Sequence, residues 1–94
     1  MLAALSYDFM DVDYCGGKIP RVIKYTYEGR LHNSGKPALL EYYPSGIIKR
    51  ESYYYNGKLH RSFDRPALIE YNEYPQRSIS RVEYYKYGIK YTPP

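Results

Sequence analysis

An internal repeat constrains this chain more than any other feature. YTYEGRLH at residues 25–32 returns as YYYNGKLH at 53–60, and PALLEY at 37–42 returns as PALIEY at 66–71. The first block moves by 28 positions and the second by 29, because the loop NSGK becomes RSFDR. A third, degraded copy, YYKYGIKY, begins at Tyr84 and runs into Thr92-Pro93-Pro94. A unit this short cannot bury its own apolar face, so consecutive units must stack in line. The chain divides into an arm over 1–20 and a repeat domain over 21–94, with units at about 21–48 and 49–80 and a partial one at 81–94.

Each unit reads as β-structure. Asn56-Gly57 lies between two short β-prone segments and signals a hairpin, because a type I′ turn needs positive φ at both central residues. Glu28-Gly29 and Tyr87-Gly88 keep the glycine alone. Pro44-Ser45-Gly46 separates LLEYY from IIKRES and marks another tight turn. Alternation places Ala38, Leu40 and Tyr42 on one face, with Ala67, Ile69 and Tyr71 in the next unit; Leu39, Glu41 and Tyr43 take the other. The fold class expected is all-β, a single-layer antiparallel β-hairpin meander. The leader forms either one or two helical turns on Leu2, Leu5 and Phe9, or an irregular arm.

A single sheet layer has a face to bury and no second layer to bury it against. Tyrosine suits that problem, since its ring covers apolar area while its hydroxyl stays wet. The chain has 15 Tyr, two Phe and no Trp among 94 residues. A chain of this size buries about 60–65% of its unfolded surface, which argues against a deep, enclosed active site. One cysteine excludes an internal disulfide framework. No apolar run approaches the roughly 18 residues that span a bilayer. The N-terminal MLAALSYDFMDVD lacks a basic segment and turns acidic, unlike a secretory signal. An intracellular or virion location is expected.

Charge is divided along the chain. The total is +4, but residues 1–17 carry Asp8, Asp11 and Asp13 and no base, leaving +7 for residues 18–94. Either the basic body attracts an acidic partner, or the acidic leader folds back over it.

The order of motifs is distinctive: a tyrosine-rich strand, Asn56-Gly57-Lys58-Leu59-His60-Arg61, a polar loop, Pro66-Ala67-Leu68-Ile69-Glu70-Tyr71. It resembles a variant of the MORN repeat, whose tandem arrays are frequent in large DNA viruses and occur in phages. The match covers about residues 21–91 and is densest at Tyr55–Arg61 and Pro66–Tyr71. Asn33 replaces the Arg after His32 in the first unit, and Lys36 and Arg65 stand where the family pattern has Gly. The resemblance implies a single-layer hairpin array with a binding or scaffolding role, and no catalysis or cofactor.

Individual residues offer no competing chemistry. His32 and His60 share one repeat position, which points to packing and hydrogen bonding within each hairpin rather than to a zinc site of three or four ligands. Cys15 has no base nearby to activate it. Asp8, Asp11 and Asp13 lack the spacing of a calcium loop, and Gly16-Gly17-Lys18 is no phosphate-binding loop. Glu41 and Glu70 are repeat-equivalent and expected to pair with Lys49 or Arg50 across strands. A non-enzymatic module that binds a host or virion protein is therefore expected, as a small scaffold or as an inhibitor that occludes its target. Its contact residues are Tyr42, Tyr43, Tyr53, Tyr54, Tyr55, Arg61, Tyr84 and Tyr85, and self-association is compatible with so short an array. The alternative is a surface for nucleic acid or anionic lipid, built from Arg30, Lys58, Arg61, Arg65, Arg77, Arg81 and Lys86 interleaved with Tyr.

Overall fold

A computed structural model describes residues 7–75 and 78–94. Ten strands and no helix occur among them: β1 (Phe9–Cys15), β2 (Ile19–Tyr27), β3 (Arg30–Leu31), β4 (Leu39–Tyr42), β5 (Ile48–Ser52), β6 (Tyr54–Tyr55), β7 (Lys58–Leu59), β8 (Leu68–Tyr71), β9 (Ile79–Lys86) and β10 (Ile89–Tyr91). Seven of them form one open antiparallel sheet in the order β1-β2-β4-β5-β8-β9-β10, with β3 also on β2 and β6–β7 as a separate hairpin. The expected sequential meander is therefore largely present, but the short hairpins branch from it.

The expectation of an arm or helix for the leader fails at Phe9–Cys15. This segment is a strand, paired with β2 from Phe9↔Thr26 to Cys15↔Ile19. Gly16 and Gly17, at φ +65° and +81°, supply the reversal that lets the acidic segment fold back. Leu2 and Leu5 lie outside the described residues.

All three tyrosine-rich hairpins turn through two positive φ values: Glu28 and Gly29 at +50° and +79°, Asn56 and Gly57 at +49° and +82°, Tyr87 and Gly88 at +47° and +85°. Only Asn56 favours that backbone intrinsically. Glu28 and Tyr87 are held in it by bonds to their N–H groups, from Glu28 to Asp8 Oδ2 (3.1 Å) and from Tyr87 to His60 Nδ1 (3.1 Å).

Backbone bonding repeats with the sequence. Tyr25 N donates to Ala38 O and Tyr53 N to Ala67 O; His32 N donates to Tyr25 O and His60 N to Tyr53 O. Gly57 N reaches Leu31 O, and Gly88 N reaches Leu59 O, so each turn docks on the hairpin before it. Ala38 and Ala67 are fully buried beneath these crossings, with Ser52, Tyr53 and Ile69 also buried. The core is thus a narrow thread in which the two alanines let the Tyr53 ring and Ile69 pack close to the backbone crossings, with Tyr71 and Tyr85 against them.

The sheet's side chains form rows across strands. One runs Asp13–Val22–Glu41–Arg50–Glu70–Arg81, and the next Val12–Ile23–Leu40–Glu51–Ile69–Val82. Arg50 bridges Glu41 and Glu70 at 2.9 Å each, and Glu70 also binds Arg81 at 2.9 Å. The cross-strand pairing expected of Glu41 and Glu70 goes to Arg50.

Candidate protein-interaction site

The hairpins align their aromatic rings into a ridge. Tyr27, His32, Tyr55, His60 and Tyr87 follow one another, with centroid separations of 5.6 Å for Tyr27–His32, 4.8 Å for His32–Tyr55 and 6.0 Å for Tyr55–His60. The ridge ends in a stacked His60–Tyr87 pair at 4.0 Å. The two histidines do more than the within-hairpin packing expected of them. His32 Nδ1 accepts from Asn56 N at 3.0 Å and His60 Nδ1 from Tyr87 N at 3.1 Å, so each links its hairpin to the next. Both Nδ1 atoms must therefore be unprotonated. Burial, and secondarily the Lys86 charge, push the His60 pKa down and favour that form. No group of three or more metal-ligating side chains occurs among the described residues.

Beside the ridge lies a cleft of about 320 Å³ between the loops that follow His32 and His60. Tyr53, Tyr54, Tyr55, Arg61 and Phe63 contribute to its lining. The Arg61 guanidinium sits 3.9 Å from the centroid of the buried Tyr53 ring and donates to Pro66 O at 3.2 Å. Asn33 does the same work in the first unit, donating from Nδ2 to Pro37 O at 3.0 Å. The exchange of Arg for Asn thus preserves the loop clamp while leaving a different surface.

Phe63 is the residue that sequence reasoning missed. It stands 86% exposed, at φ +64°, followed by Asp64 at +52°. A bulky residue in the left-handed region is a strained outlier. The extra residue of the loop RSFDR over NSGK was the available signal, since the first unit uses Gly35 for its positive φ.

A second depression follows the apolar row. About 730 Å³ is lined by residues including Leu40, Tyr42, Ile48, Glu51 and Tyr71, and it adjoins through Pro37 and Leu40 a hollow of about 430 Å³ lined by Tyr7 and Tyr25. Tyr71 Oη donates to Glu51 Oε1 at 2.6 Å. Burial first, then the Glu51 hydrogen bond and charge, push the Tyr71 pKa up to about 12.

The expected contact residues therefore separate. Tyr53, Tyr54, Tyr55 and Arg61 converge on the cleft. Tyr53 is buried and belongs to the core, so it supports the cleft from below. Tyr42 lines the depression, while Tyr43 donates its hydroxyl to Tyr71 O at 2.8 Å. Tyr84 packs on Tyr91, and Tyr85 packs against the core cluster and bonds Glu83; neither joins the cleft.

The basic set scatters. Arg81 is tied to Glu70 and Glu83, Lys86 lies 3.9 Å from Asp64, and Arg65 lies over Phe63. Arg30 and Lys58 lie against Gly57 and Gly88 along the ridge, and Arg77 lies outside the described residues. No protein-family model, curated protein or solved structure matches the chain.

Proposed function

We propose that this chain is a non-enzymatic protein-binding module of MORN-like repeats, encoded by a virus or phage. It acts as a small virion scaffold component or as an inhibitor that occludes a host protein. The observation that carries the reading is Phe63, displayed at the mouth of the Tyr54–Tyr55–Arg61 cleft on a backbone that disfavours it. An exposed aromatic beside Tyr and Arg has the composition of an interface anchor. Backbone strain retained at such a point fits a role outside folding.

Photo-crosslinking from position 63 in the native setting tests the reading. The expected result is one discrete polypeptide adduct, lost in Arg61→Ala and Tyr55→Ala chains that remain folded. Adducts indifferent to both substitutions would overturn it. The nucleic-acid or anionic-lipid alternative draws on the +7 body and on the ridge cations Arg30 and Lys58. Binding that collapses with added salt would favour that alternative.

A further inference from the structure

Strand β9 has one edge filled and one edge only partly filled. On one side it pairs with β8 from Leu68↔Glu83 to Tyr71↔Ile79. On the other it pairs with β10, but only through Tyr84, Tyr85 and Lys86. Beneath β10, among the described residues, Ile79–Glu83 has no strand beside it. The same place is occupied in both preceding units. Val22–Lys24 of β2 pairs there with Leu39–Glu41, and Arg50–Ser52 of β5 pairs with Leu68–Glu70. Arg81–Glu83 is the third member of this series, because each triplet directly precedes the equivalent tyrosine, Tyr25, Tyr53 or Tyr84.

Backbone and side chains both fit a further strand. Glu83 O accepts from Ala67 N, so Glu83 faces β8, and alternation turns the N–H and C=O of Val82 outward. Arg50 is clasped by carboxylates from the strands on both sides. Arg81 has Glu70 on one side at 2.9 Å, reaches only Glu83 of its own strand at 3.5 Å, and keeps its side chain 54% exposed. Val82 and Ile79 are exposed, whereas Ile69, in the same row as Val82, is buried.

We propose that the β9 edge beneath β10 accepts an extended segment of a partner protein as an added antiparallel strand, with an aliphatic residue opposite Val82 and a carboxylate opposite Arg81. The chain's own PALLEY and PALIEY strands define what fits: each places an aliphatic residue and then Glu against the preceding unit. Main-chain bonds supply the attachment and the alternate side chains the selectivity. The inference rests on the protein-binding reading but uses an edge, not the Phe63 cleft.

The probe is a synthetic peptide of residues 65–71, Arg-Pro-Ala-Leu-Ile-Glu-Tyr, titrated into the full 94-residue chain and followed by amide NMR shifts. Saturable shifts confined to Ile79–Tyr91 are expected. A peptide carrying Glu70→Arg should bind about tenfold more weakly, the scale of one charge-assisted hydrogen bond. Methylation of the Ile69 nitrogen should abolish binding, since that N–H would face Val82. An Arg81→Glu chain should reverse the preference between the two peptides. The peptide variants leave the chain untouched, so the test survives even where Arg81→Glu fails to fold. Absence of saturable shifts, shifts at β1 or the cleft instead, equal binding of the Glu70→Arg peptide, or self-association through β9 would each overturn the proposal. Loss of peptide binding with retained crosslinking at position 63 would sink the edge alone. The converse would sink the cleft alone.

Discussion

Replacing Phe63 with Gly should leave the stability of the fold nearly unchanged while weakening partner binding. The left-handed backbone at φ +64° costs a non-glycine residue about 1–2 kcal/mol, which Gly recovers. Full burial of a Phe is worth at most about 3 kcal/mol, and this ring is 86% exposed, so its lost contacts amount to about 0.4 kcal/mol. Added freedom of Gly in the unfolded chain removes about 0.5–1 kcal/mol. The net change lies between about 0.4 kcal/mol lost and 1 kcal/mol gained, far from the 3–5 kcal/mol of a core Phe truncation. Phe63→Val is the control: its β-branched side chain tolerates positive φ worse than Phe, so it should destabilise. Urea unfolding followed by tyrosine fluorescence measures both. The same Phe63→Gly chain should lose about 1–2 kcal/mol of affinity for the crosslinked partner. A stability loss beyond about 1.5 kcal/mol would mean the ring holds the loop together, and unchanged affinity would remove Phe63 from the interface.

Two further tests concern the Arg50 ladder of the sheet and His60 on the ridge. Arg50→Ala leaves the Glu41 carboxylate without its partner and Glu70 with Arg81 alone, and at this partial exposure it should cost about 1–3 kcal/mol, or several degrees of melting temperature. Replacing all three with Leu, Met and Leu should cost less than Arg50→Ala alone, and the opposite ranking in thermal melts would refute the ladder as the cause. His60 has a folded pKa below its unfolded value near 6.5, so the unfolded chain binds more protons in the acid range. Its contribution is present above about pH 6.5 and declines as pH falls toward the folded value. In His60→Ala that component of the pH dependence should vanish, as measured by unfolding at pH 7.5 and 5.5.

Much of the fold was legible in the sequence because its signals are local. Asn56-Gly57 between two strand-like segments strongly favours a type I′ turn, and the recurrence of Leu-His and Pro-Ala-Leu implies that what one unit does the next repeats. Alternation within PALLEY and PALIEY put Glu41 and Glu70 in one row, ready for Arg50. What escaped the sequence depends on neighbours distant in the chain. The leader carries a short strand period, with Met10, Val12 and Tyr14 alternating with Asp11 and Asp13, that the helical spacing of Leu2, Leu5 and Phe9 obscured; which edge it joins was settled only by pairing with β2. His32 and His60 looked self-contained, yet their acceptor atoms are used by residues 24 and 27 positions further on, which only stacking brings near. The fate of the tyrosines was undecidable for the same reason. Tyr53 and Tyr55 share parity, but Tyr53 is buried beside Ala67 and Ile69 while Tyr55 stands 43% exposed on the ridge. Repetition determined where each ring leaves the backbone; the loops and turns of the adjoining unit decided whether anything covers it.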